Sequence, residues 1–219
     1  MGNQSSPFYP VMILLAAWVM QCSALTPKVY KYFGFGSNVV PSTMKALRRI
    51  DFLDATAGVL ADYELRFDGS DRSRIEPSAA FVAPATGKQV HGVLYTLTAE
   101  DFAKVGSTEG VPFAYRWKRC SVHPYVGDGE RAGCLALSSP AVDAFTLVSP
   151  NIGEKNIPPS PSYLGLIKEG ANLWKFDKDY QDELESIEEA KNLILPQGVS
   201  GLLLRAAELA TGTSRSYNF

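Results

Sequence analysis

The chain has 219 residues and a formal net charge of −2, from 21 basic and 23 acidic side chains that are interspersed along its length. That length fits one domain around one core, and the near-neutral mixture excludes the basic face or stripe that nucleic acid calls for. With 3 cysteines and 2 histidines, neither a disulfide framework nor a His-rich or Cys-rich metal site is expected.

Residues 11–20, "VMILLAAWVM", form an apolar run too short to span a bilayer. Gln21-Cys22-Ser23-Ala24 follows, and its small residues suit cleavage after Ala24. No Lys or Arg precedes the run, and Met1-Gly2-Asn3-Gln4-Ser5-Ser6 also fits the N-myristoylation pattern. Residues 1–24 are therefore read first as a signal-type or targeting leader. An extension on a cytosolic domain and an acylated anchor are the alternatives, so the compartment stays open.

Residues 28–35 are rich in strand formers, and 41–50 read as a helix with Pro41 in its first turn. A strand at 57–67 leads into a Gly/Ser/Asp-rich loop at 68–77, then strands at 78–84 and 89–97 separated by a Thr86-Gly87 turn. Thr98 followed three residues later by Asp101 approximates a capping box, opening a helix over 98–105 that ends near Gly106. Two long strands, 112–126 and 132–148, are expected to form a hairpin around Gly127-Asp128-Gly129. In that register Cys120 faces Leu137 and Cys134 points to the other side. A proline-rich segment, 158–162, precedes helices at 162–172 and 177–190, and the acids of 182–189 form a solvated face. The domain is placed at 28–190, with a C-terminal helix and frayed tail at 191–219. Many strands with few helices predict an α+β domain, a small mixed β-barrel surrounded by helices.

Two glycine-bearing turns carry the chemistry. In "YFGFGSN", residues 32–38, two glycines lie between a strand and a helix, where missing Cβ atoms permit positive φ and close approach. Such a turn aims free amides at an anion, although an ordinary tight turn has the same composition. The spacing is neither G-x-G-x-x-G nor a phosphate loop ending in Gly-Lys-Ser/Thr, so a nucleotide is not expected. In the second turn, "GSTEGVPFAY", one acid, Glu109, stands among small residues where an apolar strand begins. A carboxylate desolvated at the mouth of a core can both accept and donate a proton near neutral pH; a solvated loop acid is the plain alternative. His91 and His123 read as structural or surface histidines, and Trp117 and Trp174 as packing residues.

Together these segments resemble one family. "YFGFGSN" is similar to the Y-G-S-N signature of γ-glutamylcyclotransferases, "GVLYTL" and "STEGVPFAY" to their G-V-(V/L)-(W/Y)-x-(M/L) strand and E-G-V…Y segment, and "PPSPSYLGLIKEGA" to the P-P-S-P-x-Y stretch of the branch acting on γ-glutamyl amino acids. The order and spacing agree over about residues 30–187. The resemblance implies a cofactor-independent enzyme, often a homodimer, that converts a γ-glutamyl amino acid to 5-oxoproline plus the released amino acid. It assigns Glu109 as general base and then general acid. It places Tyr32, Gly34, Phe35, Gly36, Ser37, Asn38, Tyr115 and Tyr163 on the substrate. The amides of 36–38 would hold either the α-carboxylate or the oxyanion, and Tyr163 would wall the side that admits the second amino acid. Tyr115 falls one residue earlier than the family spacing and is otherwise a core tyrosine. Phe145 lacks a hydroxyl at a tyrosine position, a difference expected to bear on substrate preference. Relatives acting on glutathione or γ-glutamylamines are the enzymatic alternatives, and a non-catalytic ligand-binding protein of the same fold is the other.

Overall fold

In β1 (Val29–Gly34), Tyr32, Phe33 and Gly34 bury while the first residues stay partly exposed, which fits a strand that runs from the rim into the core. It is one of five strands in a computed structural model that describes residues 28–68, 76–127, 129–150, 156–191 and 193. The leader, most of the 68–77 loop and the C-terminal helix and tail fall outside these residues. The other strands are β2 (Asp54–Asp68), β3 (Ala79–Thr98), β4 (Arg116–Tyr125) and β5 (Val142–Val148), closed into a barrel in the order β1-β3-β2-β4-β5. β1 is antiparallel to β3 and parallel to β5, where Tyr32 pairs with Phe145, so the barrel is mixed as expected. On these strands Phe33, Val59, Val90, Val93, Tyr95, Leu97 and Val122 are buried, none more than 2% exposed. Each such side chain contributes about 1.5–3 kcal/mol on burial.

The segments expected as two strands at 78–84 and 89–97 are one strand with a wide bulge. β2 pairs with both halves, Ala61 with Gln89 and Tyr63 with Pro84, leaving Asp62 alone opposite residues 85–88. Asp62 takes φ +59 and its Oδ1 accepts from the Gly87 amide at 2.9 Å, with Gly87 at φ +79. Thr86-Gly87 does turn, but the carboxylate closes the excursion and the strand resumes its direction. Pro84 sits at the bulge edge, where a missing N–H costs no ladder bond.

Helix α1 (Ala99–Thr108) starts as expected, with the Thr98 hydroxyl accepting from Asp101 N at 3.1 Å. It passes Gly106, which lies against the Trp117 indole, and stops at Gly110, φ +72. Val111 N donates to Gly106 O at 2.9 Å and Gly110 N to Ser107 O at 3.3 Å, the two bonds of a Schellman motif.

The expected 112–126/132–148 hairpin is corrected more substantially. β4 begins at Arg116, because Phe113 N and Ala114 N both donate to Gly110 O, at 2.9 and 2.8 Å, in a turn. The start of the second segment is helix α2 (Ala132–Ala136), and Cys120 pairs with Ala144 rather than Leu137. The cause is remote. Asp177 accepts from Gly133 N and Cys134 N, both at 2.7 Å, and so caps α2 from another part of the chain.

Helix α3 (Pro161–Leu173) has proline in its first turn and the Ser160 hydroxyl accepting from Tyr163 N at 3.2 Å. Helix α4 (Lys178–Ser186) is shorter than the expected 177–190, and the chain then returns to the proline segment through Ala190 N donating to Pro159 O at 2.8 Å. No described helix is long and apolar enough to cross a membrane.

Candidate active site

At the end of β1 the chain makes a 3-10 turn, Gly36–Val39, and then a π turn, Thr43–Leu47, where a helix over 41–50 was expected. In the π turn Arg48 N reaches Thr43 O at 3.1 Å, five residues back. This wider spacing, common at functional sites, brings Arg48 beside the 3-10 turn. The turn itself is clamped from two sides: Tyr95 Oη donates to Asn38 O at 2.8 Å and Trp174 Nε1 to Val39 O at 2.7 Å.

Glu109 is the C-cap of α1, fixed in position by the Schellman motif that follows it. Its Oε1 accepts from Asn38 Nδ2 at 2.7 Å and meets Arg48 Nη2 at 2.7 Å, with each side chain of the ion pair 13% exposed. Asn38 Nδ2 also donates to Tyr32 Oη at 2.8 Å, and Asn38 Oδ1 accepts from Arg48 Nε at 2.8 Å. Among the described residues both polar contacts of Glu109 fall on Oε1, leaving Oε2 for a ligand. Carboxylate, amide, guanidinium and phenol thus form a closed, largely buried network, where such bonds are stronger than in water.

The cleft has a volume of about 290 Å³ and takes Tyr32, Phe35, Ser37, Asn38, Glu109, Tyr115 and Tyr163 into its wall. The first turn and the Glu109 turn, far apart in sequence, therefore meet. Tyr115 Oη donates to Ala80 O at 3.2 Å, and Tyr163 Oη accepts from Ala80 N at 3.1 Å, so both tyrosines are tied to the start of β3. Burial pushes the Tyr163 phenol up to about 12, and burial followed by the Glu109 charge raises that of Tyr32 further. Both are neutral hydroxyls at working pH.

Gly34 and Gly36, expected to shape the substrate loop and to offer an amide to the ligand, are not among the residues that line the cleft. A Cβ on Gly36, which has φ +64, would sit 3.0 Å from the Tyr163 hydroxyl and 3.1 Å from Ala80 Cβ; one on Gly34 would sit 3.2 Å from Asn38 Cβ. The glycines let the turn pack against its own protein, and Ser37 and Asn38 are the residues of the turn that face the cleft. The first N–H groups of such a turn lack a partner within it. Phe145 also lies outside the wall, its ring centroid 5.4 Å from Phe102 and 6.3 Å from Tyr30, and Leu147 is the β5 side chain that reaches the cleft. His91 is buried and bonded through Nδ1 to Tyr125 Oη at 2.7 Å, and Trp117 stacks on Phe102 at 4.3 Å, so both are structural here.

Arg48, Thr108 and Leu147 are cleft-wall residues that the sequence did not single out. For Arg48 the available signal was a basic residue in the last turn of the segment that follows the glycine turn.

The family model for gamma-glutamyl cyclotransferase, AIG2-like, matches residues 32–163, well over half of the chain. No curated protein matches it in sequence. Among solved structures, one named gamma-glutamyl cyclotransferase is 21% identical with a TM-score of 0.64, covering 83% of this chain and 99% of its own. An uncharacterized protein from Homo sapiens is also 21% identical with a TM-score of 0.64, covering 82% and 98%. YkqA from Bacillus subtilis is 21% identical with a TM-score of 0.57 and covers 74% of this chain but 56% of its own. At these identities the structural likeness is one of fold.

Proposed function

The chain belongs to the gamma-glutamyl cyclotransferase, AIG2-like family, and we propose that it converts γ-glutamyl amino acids or short peptides to 5-oxoproline and the free amino acid. The observation that carries this reading is Glu109, held at Oε1 by Asn38 and Arg48 and without a hydrogen bond on Oε2 among the described residues, in the wall of a cleft large enough for a small ligand. The reaction asks for one positioned proton carrier and a folded substrate.

The α-ammonium of the glutamyl unit gives a proton to Glu109 Oε2, and the freed amine attacks its own γ-carbonyl. A new N–C bond closes a five-membered ring. The tetrahedral adduct collapses as the C–N bond to the second amino acid breaks and Glu109 returns a proton to the departing nitrogen. Between ammonium and lactam the α-nitrogen sheds two protons, and the departing nitrogen gains two as it leaves as an ammonium. No water, acid or base is consumed. The attack is intramolecular, so orientation supplies much of the acceleration, roughly 7–11 kcal/mol in well-placed cases. The Ser37 and Asn38 amides and the Arg48 guanidinium are the donors available to the α-carboxylate and the oxyanion. The placement of Tyr163, from the P-P-S-P-x-Y stretch, in the cleft wall supports a γ-glutamyl amino acid over glutathione or a γ-glutamylamine.

The test is to incubate the full chain with γ-glutamyl dipeptides, glutathione and ε-(γ-glutamyl)-lysine and to quantify 5-oxoproline by mass spectrometry. Release from the dipeptides at rates above the other two supports the reading. No release from any of them, or release from glutathione alone, contradicts it.

A further inference from the structure

The turn that carries Glu109 also carries an aromatic ring that has no aromatic partner among the described residues. Phe113 is 88% exposed, and it is the only aromatic among the large apolar side chains exposed in the described residues. Its backbone is nevertheless tightly held. Phe113 N and Ala114 N both donate to Gly110 O, Gly110 sits at φ +72, and Val111 N donates back to Gly106 O at 2.9 Å. Val111 on one side and Tyr115 on the other pack against the core. The turn is thus pinned at both ends while the ring between them is held outside.

Position gives the ring a use. Thr108 and Glu109 line the cleft, and so do Ala114 and Tyr115, so the turn of residues 110–113 joins two stretches of its wall and Phe113 directly precedes the second. The polar groups of the cleft, Asn38, Arg48 and Glu109, are bonded to one another and suit the amine and carboxylate of a glutamyl head. Beyond them, the wall offers apolar surface from Phe35, Leu147 and Ala80. At about 290 Å³ the cleft is at the small end for ligand sites and leaves little room for a bulky second residue beside the glutamyl head.

We infer that Phe113 is a specificity-determining residue that packs against the side chain of the released amino acid and selects γ-glutamyl substrates whose second residue is large and apolar. This rests on the reaction proposed above. A solvent-exposed phenyl ring at a mouth gains by covering an apolar ligand group, and ring contacts of this kind are worth about 0.5–1.5 kcal/mol beyond area burial, or roughly twofold to tenfold in affinity.

The test compares kcat/KM for γ-glutamyl-phenylalanine, γ-glutamyl-leucine and γ-glutamyl-alanine in the wild type, Phe113→Ala and Phe113→Tyr. The wild type is expected to favour the two bulky substrates. In Phe113→Ala the ratio of bulky to alanine substrate is expected to fall about fivefold, mostly through KM, and Phe113→Tyr to restore it. An unchanged ratio, or an equal loss on all three substrates, overturns the inference and leaves the cyclotransferase reading standing. An unchanged ratio together with a dimer that becomes a monomer in Phe113→Ala overturns it too, by assigning the ring to an interface. Absence of 5-oxoproline from every substrate with the wild type removes the reaction itself, and the inference with it.

Discussion

Every polar atom of the Asn38 side chain is engaged: the amide nitrogen donates to Tyr32 and Glu109, and the amide oxygen accepts from Arg48. Arg48 reaches across the same network, with Nε on Asn38 and Nη2 on Glu109. Only a planar fork can satisfy both acceptors together. Arg48→Lys keeps the charge but makes one contact at a time, and it is expected to lower kcat about tenfold to a hundredfold while moving Tm by less than a few degrees. Steady-state kinetics with a thermal melt check this. A kcat within twofold of the wild type would show that the second contact does not orient the carboxylate. At this scale Glu109 and Asn38 were legible, because each stands in a short glycine-bearing turn whose composition is unusual. Arg48 was not. It reaches the cleft through a π turn, and among the basic residues Lys45, Arg48 and Arg49 the sequence does not say which one that widening turns toward the site.

Among the elements, those specified by their own residues read correctly. Strand β1, the Thr98–Asp101 start of α1 and the Ser160–Pro161 start of α3 each carry their signal within a few positions. Those set by distant contacts did not. Helix α2 owes its first turn to Asp177, and the β3 bulge is closed by Asp62 on the neighbouring strand. The packing of α3 on the 3-10 turn is of this second kind and offers a test. A Cβ on Gly170 would fall 2.2 Å from Val39 Cγ2 and 3.2 Å from the Val39 carbonyl carbon. Gly170→Ala gains about 1 kcal/mol in helix propensity but overpacks by about 1–3 kcal/mol, so modest net destabilisation is expected. Because Val39 directly follows Asn38, KM is expected to rise with it. A melt and a substrate titration decide, and a variant more stable than the wild type with unchanged KM would show that the helix does not press on the turn.

For the molecule as a whole, strand-rich patterning was enough to anticipate a closed or nearly closed mixed barrel with helices outside, but not which strands close it. The parallel pairing of β1 with β5 joins residues far apart in the chain, and no local pattern names such a partner. The buried cluster around His91 is a second global feature. His91 is 1% exposed, with no hydrogen bond to Nε2 among the described residues and Nε2 3.9 Å from Asp177 Oδ2, and Tyr125 and Tyr180 also face it. Burial lowers its pKa from the ordinary 6.5 to about 4, against the upward pull of Asp177. Between those two values the unfolded chain binds more protons at this residue than the folded one. Stability contributed here is therefore lost as pH falls from 6.5 toward 4, at up to about 1.4 kcal/mol per pH unit. Urea midpoints measured from pH 7 to pH 4.5 are expected to decline over that window, and less steeply in His91→Gln; equal slopes would discount the histidine.

The central claim is that one carboxylate carries the proton for a substrate that closes on itself. It is tested most directly by Glu109→Gln, which keeps the size of the side chain and removes its capacity to take a proton. Calorimetric binding of a γ-glutamyl dipeptide and 5-oxoproline release are measured on the same preparation. The account predicts binding within about tenfold of the wild type and a kcat lower by about 100-fold or more. A variant that binds and still turns over at close to the wild-type rate would contradict it.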